Sequence, residues 1–562
     1  MFVEIEIEDR NGDTHTTTME LAVTDNSNRS VKNPDSVQVQ NTIRRCLAKG
    51  LSTLTGLGIE LWAGEDIKLL DYKKETHITG DDIIPGMVTG EQSRKLNEMM
   101  LHKQCPPKSK VIIQKWKDSG FKTLTETEAA ILIADTKVGI DNNKAPTKTR
   151  LDKVIKTVEA LNLSKENIDL RKKSLDQFMQ KGFPNKKQED WKFSDLREIV
   201  RKNFKKLNVN KVNSKLKKIN LIKDFDHNYI VVVNGELKSS NFKFEDKNRV
   251  RIKNFKNDNF LKENKENSLI YLNHALSDKG YDVEVEDNYK FKKALIVYNL
   301  FTKNLKENIL NSRNKIKIGE NSELHTIDLV INDSKYKFMN NVYENIILEN
   351  NAVYKNICIQ NDKNEGYFHK FSKNKLSSRS KYSSFIFPSG SRFNKLDLEF
   401  NLEGEDSECI LQSASFLNKS DHQEIKTKMN HLASSCKSYQ KVKNVLGSDG
   451  KGVYQGKIYV KDVAQKTNAY QLSKALLLSD SSEFNSKPEL EIYADDVKCS
   501  HGATSGSVDE DSIYYLMSRG LSRKESIKLL IDGFLNEVID MIKSNSVKKF
   551  VKNKLQKQIH GY

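Results

Sequence analysis

The stretch NSELHTIDLVINDSKYKFMNNVYENIILENNAVYKNICIQ (321–360) decides the fold class. It holds three short apolar runs, Leu324–Ile331, Tyr343–Leu348 and Val353–Ile359, rich in β-branched and aromatic residues and separated by Asn, Asp and Ser. Runs of that kind read as strands. The same texture extends from about 228 to 497, with further strands at Tyr229–Val233, Leu295–Phe301, Leu396–Phe400, Cys409–Phe416, Val453–Val460 and Leu490–Tyr493. No helical pattern of ordinary length interrupts 320–460, so a large β-body is required. A sandwich, a barrel or a solenoid would satisfy this. Stacked coils of a solenoid use short strands and recurring polar turns. The Asn-rich turns favour that choice, although no strict period is present.

Helical patterns flank the β-body. Residues 151–204 are helical, and so are 509–545, where Asp509 suits an N-cap and Gly520 a stop. Ile527, Leu530, Ile531, Phe534 and Val538 then form one apolar helix face. Upstream, residues 135–150, which include KVGIDNNKAPTKTR, are small, polar and aperiodic and read as a linker. Before them lie a polar helical segment, 75–134, and a small α+β segment, 1–74. The latter has strands at Phe2–Glu8, Thr16–Val23 and Gly58–Trp62 and a helix over Gln38–Leu54. In that helix Ile43, Leu47 and Leu51 share a face, and Arg44, Arg45 and Lys49 lie off it. The expected order after the linker is a helical part at 151–227, a β-core at 228–500 and a helical part at 501–562.

Composition removes several classes of function. The 562 residues are 37% hydrophobic and 8% aromatic, a globular balance, with no run long and apolar enough to cross a bilayer. The opening MFVEIEIEDR lacks the regions of a signal peptide, so a cytoplasmic location is expected. Six cysteines, Cys46, Cys105, Cys358, Cys409, Cys436 and Cys499, are scattered without a Cys-x-x-Cys pair. That pattern argues against a zinc ribbon, a disulfide framework and a tightly bound iron–sulfur cluster. The net charge of +17 comes mostly from Lys set among Asn. A compositional bias accounts for it in the central region, where no aromatic residues interleave with the charge as in a nucleic-acid groove. No G-x-x-x-x-G-K-[ST] sequence occurs, so ATP hydrolysis by that route is not expected.

Three stretches carry a family likeness. GFPNKKQEDWKFSDL (182–196), KNVLGSDGKGVYQGKIYV (443–460) and VKCSHGATSGSVDEDSIYYLMSRGLSRKES (497–526) resemble, in this order, the SufB/SufD family of iron–sulfur cluster assembly proteins. The likeness covers about 150–562. Within the family, SufB usually reads Glu-His-Glu-Ala-Thr at the last motif, has a cysteine in the following tyrosine-rich helix and carries an N-terminal cysteine cluster. Here the residues are Cys499-Ser500-His501-Gly502-Ala503-Thr504 and Tyr514-Tyr515-Leu516-Met517, and no such cluster is present, which is similar to the SufD branch. The resemblance implies a right-handed parallel β-helix between helical parts, a non-catalytic scaffold, and SufB and the ATPase SufC as partners.

Cys499 and His501 stand two apart, so on a strand both point to one side. A thiolate and an imidazole can bind ferrous iron or a nascent cluster, but two ligands leave a metal unsaturated. In isolation the pair reads as a buried cysteine beside a turn histidine. The resemblance implies instead a transient cluster or iron held where SufD meets SufB. His422, His431 and Cys436 fit no metal-ligand spacing and read as ordinary residues of the coils. Trp191 reads as a core anchor. The face built by Ile527, Leu530, Ile531 and Phe534 either packs on the β-body or docks SufC, as the resemblance implies.

The N-terminal region resembles a second family. LAVTDNSNRSVKNP (21–34) and VQNTIRRCLAKGLSTLTGLGIELWAGEDI (39–67) are similar to phage single-strand annealing proteins of the Sak/ERF type, entered part-way through their pattern. This implies contact of residues 1–70 with single-stranded DNA, with Arg44, Arg45 and Lys49 as phosphate contacts. A gene fusion, or a chimeric frame joined near residue 135, accounts for two halves with no common chemistry.

Overall fold

The computed structural model describes residues 2–8, 14–20, 90–102 and 107–118, then 164–204, 219–255, 267–360, 364–419 and 421–560, and a few isolated positions before 164. The chain divides into two compact units, Met1–Ala145 and Pro146–Tyr562. In the first, strands Phe2–Glu8 and Thr14–Glu20 form an antiparallel pair, and helices α1 (Gly90–Leu101) and α2 (Pro107–Asp118) follow. The expected helix over Gln38–Leu54, the strand Gly58–Trp62 and the linker 135–150 lie outside the described residues.

The second unit is a parallel β-solenoid. Among the described residues the strands form two sheets, one of nine and one of ten, and from Lys279–Val285 onward successive strands alternate between them. On the nine-stranded sheet Asn314, Glu344, Ser372, Leu398, Thr427, Gly456 and Pro488 stand in one row, at spacings of 26 to 32 residues. Coils of unequal length explain why no strict period shows in the sequence. Inward residues of the two sheets form the lumen. It is apolar near one corner, with Ile318, Leu348, Leu376, Leu402 and Val460, and polar farther along, with Glu344, Asp328 and Asn356.

One corner of each coil is built the same way. Asn288, Asn321, Asn351, Arg379, Asp406, Ser435 and Lys466 all adopt φ between 55° and 59°. In this left-handed conformation each backbone N–H turns towards the following coil. Asn321 donates to Asn350 O (3.0 Å), Asn351 to Ser378 O (2.9 Å), Arg379 to Glu405 O (2.8 Å) and Ser435 to Gln465 O (2.8 Å), in each case the carbonyl just before the next corner residue. Asn tolerates this region because its side chain can bond locally. The asparagines also form a ladder, in which Asn351 Nδ2 donates to Asn321 Oδ1 (2.9 Å) and Asn321 Nδ2 to Asn288 Oδ1 (3.0 Å).

Helices cover the outer faces. Over the nine-stranded sheet lie α3 (Lys165–Lys181), α4 (Leu196–Asn203) and α5 (Ser268–Leu276), packed on Ile309, Met339, Tyr367 and Phe393. Buried Arg171 of α3 donates to Ala275 O (3.0 Å) and Ser277 O (2.7 Å), satisfying carbonyls at the end of α5. The motif residues Glu189–Trp191 form a 3₁₀ turn. Trp191 is buried, stacks near Phe393 and carries the Lys395 ammonium 4.6 Å from its ring centre, while Asp190 pairs with Lys426 at 2.7 Å. Trp191 is therefore a core anchor. Over the ten-stranded sheet lie α7 (Arg523–Ile539) and α8 (Asn545–His560), preceded by α6 (Glu510–Ser518).

One boundary needs correction. The last strand runs Val497–Ser507, so the β-core continues past residue 500, where the sequence reading ended it. Its Gly, Ser and Thr give no apolar alternation, and pairing with the strand Thr467–Leu477 holds it instead.

The corner geometry is testable at Ser435, whose side chain is only half-buried. Ser435→Gly should leave stability within about 0.5 kcal/mol, whereas Ser435→Val should cost roughly 1–2 kcal/mol, because a β-branched residue resists positive φ. Equilibrium urea denaturation of both variants measures the difference; equal midpoints would show that the corner carries no conformational constraint.

Candidate functional site at the terminal coil

The solenoid ends asymmetrically. At its start, short antiparallel strands, Glu236–Asn241 and Val250–Asn254, lie on the two sheets. At the other end, Glu483–Ile492 is the edge of the nine-stranded sheet and Val497–Ser507 the edge of the ten-stranded one. Among the described residues each is paired in parallel on one side only, to Lys451–Val460 and Thr467–Leu477. Such an edge presents backbone donors and acceptors ready to pair with another strand.

Cys499 and His501 both lie on that last strand. Cys499 is half-buried and packs against the lumen cluster beside Val497 and Leu490. Burial raises its thiol above the usual cysteine value, with the Ala469 N–H opposing weakly. It is therefore a thiol until a metal or base draws off its proton. His501 is two positions on, on the same side by strand alternation, and exposed. In register beside them on the neighbouring strand stand Ala469 and Gln471, both buried. Among the described residues no group of three His, Cys, Asp or Glu is arranged to hold a metal ion.

The other sequence candidates are placed differently. On α7, Ile531 is fully buried and Ile527 and Phe534 are partly so, packed on the outer face of the ten-stranded sheet with Leu535, Val538 and Ile539. Leu530 is half-buried. Of the two readings left open for this face, packing on the β-body is the one observed, so Ile531 offers a partner no surface. Glu537 reinforces the packing by bonding both Lys441 and Lys443, and Lys443 Nζ also donates to Phe534 O at 2.9 Å. Exposed apolar side chains nearby are instead Leu529 at 51%, Tyr514 at 75% and Tyr515 at 57%. Arg44, Arg45 and Lys49 lie outside the described residues.

His422, His431 and Cys436 do not converge. His431 is buried against Ser438 Oγ (2.9 Å) and burial lowers it to about 4, so its ring is neutral. Cys436 bonds Ser407 Oγ and Gly404 O, and His422 bonds Glu424. Sequence reasoning missed the buried pair Lys395–Glu424 (2.6 Å), as neither residue has a sequence signal that would mark it as buried. Burial alone would raise the Glu424 carboxyl, yet Lys395 and His422 hold it well below the usual range. No helix among the described residues is long and apolar enough to cross a membrane.

Comparison with known proteins agrees with this architecture. Residues 301–534 match the family model described as "SUF system FeS cluster assembly, SufBD core domain", and 156–297 match the "SufBD protein N-terminal region". Residues 1–85 match "Sak Single Strand Annealing Protein". The chain is 24% identical to the iron–sulfur cluster assembly protein SufD of Escherichia coli over 398 residues, 69% of this chain and 92% of that protein. It is 29% identical to an iron–sulfur cluster assembly SufBD family protein of Synechocystis over 238 residues, 42% of this chain and 52% of that one. A Bacillus subtilis SufD is 32% identical over 133 residues, covering 24% of this chain and 30% of its relative. With solenoid, flanking helices and both family regions in order, this chain belongs through residues 156–534 to the SufBD family of iron–sulfur cluster assembly proteins, preceded by a Sak-type segment.

Proposed function

We propose that this chain is a SufD-like, non-catalytic scaffold subunit that pairs with SufB through its terminal coil and contributes Cys499 and His501 to a nascent cluster. The observation that carries this reading is the pair of one-sided edge strands at one end of the solenoid, one of which holds both side chains. Strand addition there would give a partner backbone hydrogen bonds along two sheets at once and bring its own ligands beside the thiol and imidazole. Iron is cargo in this scheme: two donors on one chain hold it weakly, and the partner completes the set. The absence of a Walker A sequence leaves energy input to an ATPase subunit, SufC. Its docking surface would use the exposed Leu529, Tyr514 and Tyr515 of α6 and α7 rather than Ile531.

Co-expression with SufB and SufC tests the assignment. The native chain should co-purify with both and the complex should carry cluster; Cys499→Ala with His501→Ala should preserve the complex and lose most of the cluster. A native chain that recovers neither partner would sink the proposal.

The raised thiol sets a direction with pH. Binding iron at Cys499 releases a proton, so uptake should strengthen roughly tenfold per pH unit below the thiol value and level off above it. A flat profile between pH 6.5 and 8.5 would remove Cys499 from the ligand set.

The Sak match supports a second, separate activity for residues 1–85. Full-length protein should then retain single-stranded DNA in a salt-dependent manner, and Arg44→Glu with Arg45→Glu and Lys49→Glu should flatten the salt slope. Unchanged retention in the triple variant would exclude these three residues.

A further inference from the structure

We infer that Gln471 is a positioning residue for the Cys499–His501 strand, an assignment that rests on the ligand reading above. Gln471 lies on the strand Thr467–Leu477, directly in register with His501 on one side and Gln440 on the other. It is 2% exposed and its amide points into the last part of the lumen. There Nε2 donates to Glu489 O at 3.1 Å, and Oε1 accepts from the Tyr454 hydroxyl, also at 3.1 Å. The side chain thus runs from the ten-stranded sheet to the backbone of the edge strand of the other sheet. It ties the edge strand Glu483–Ile492 to the strand Thr467–Leu477, on which the Cys499–His501 strand is paired.

Its surroundings are shaped for this span. Tyr454 is fully buried, and its single hydroxyl proton is shared between Gln471 Oε1 and Gln440 Oε1, the latter 3.2 Å away. Gly456 leaves the space: a Cβ there would lie 2.0 Å from Gln471 Oε1 and 2.4 Å from the Tyr454 hydroxyl. Ala469, the small buried neighbour of Cys499, leaves the thiol room on the same face. An edge strand held by ladder bonds on one side only frays readily. A cross-lumen bond at the level of His501 fixes the neighbouring strand that supplies its ladder, where the ligands need a defined separation. A second cross-bond, Ser473 Oγ to Ser486 Oγ at 2.7 Å, ties the same sheets one inward position farther along, level with Ala503. It supplies a control that is structural but remote from the pair.

The test is a Co²⁺ titration of the full chain, read by the near-ultraviolet thiolate-to-metal charge-transfer band, with Cys499→Ala to identify the Cys499 contribution. Gln471→Leu and Gly456→Ala should each raise the Co²⁺ concentration for half-saturation about tenfold, while Ser473→Ala should change it less than twofold. Half-saturation within twofold of native in both Gln471→Leu and Gly456→Ala would overturn the inference. So would equal losses in Gln471→Leu and Ser473→Ala, since they would mark a merely structural role.

Alkylation of Cys499 by iodoacetamide, followed residue by residue by mass spectrometry, is measured in parallel. Gln471→Leu should accelerate it at least fivefold without changing Cys409, and an unchanged rate would overturn the strut. A native chain with no Cys499-dependent band, but with the fivefold acceleration, would sink the ligand reading and leave the positioning role standing.

Discussion

The bond that the rest of the structure depends on is the corner hydrogen bond between successive coils. Each left-handed corner residue turns its N–H towards the carbonyl preceding the next corner, from Asn288 to Lys466. Fixing that one point sets the register of both sheets, because a parallel strand leaving a fixed corner has no freedom to slip. Slippage by one residue would also exchange lumen and outer-face side chains. The constraint is local and repeats with each coil, so coil lengths of 26 to 32 residues can coexist: extra residues enter at other turns while the corners stay stacked.

Register in turn decides where the charges go. Lys395 and Glu424 meet on adjacent strands, fully buried beneath Trp191, and Lys370 pairs with Glu344 at 2.7 Å in the lumen. A buried pair of this kind adds little net stability relative to an apolar pair, but breaking one partner is costly. Their effect is to specify which coil lies next to which, and to seat the Glu189–Trp191 turn on the solenoid. None shows the geometry of a nucleophile beside a base. At the last coil the stacking rule runs out and the sheets end in edges.

A solenoid cannot close its own ends. The first coil meets short antiparallel strands, while the last leaves Glu483–Ile492 and Val497–Ser507 paired on one side. An edge of that length is usually covered or blunted in a monomer. Here it carries the half-buried Cys499 thiol and the exposed His501 imidazole. The second unit has its own core and its own flanking helices.

By itself the sequence determined the class of the β-body and the helices that flank it, because short apolar runs and caps are local properties. It also showed Trp191 as an anchor. It could not show the length of the last strand, since the Gly-Ser-Thr run of 500–507 has no apolar alternation and is held by its neighbour alone. It left open which way α7 faces, because an apolar stripe looks the same whether it meets a sheet or a partner; the cluster around Ile531 and Leu535 decided that. The corner row from Asn288 to Lys466 was hidden by uneven spacing and by mixed residue types, Asn, Arg, Asp, Ser and Lys. The link from Gln471 to Glu489 was hidden for the same physical reason: residues brought together by stacking lie a coil apart in the chain, and only the tertiary structure makes them neighbours.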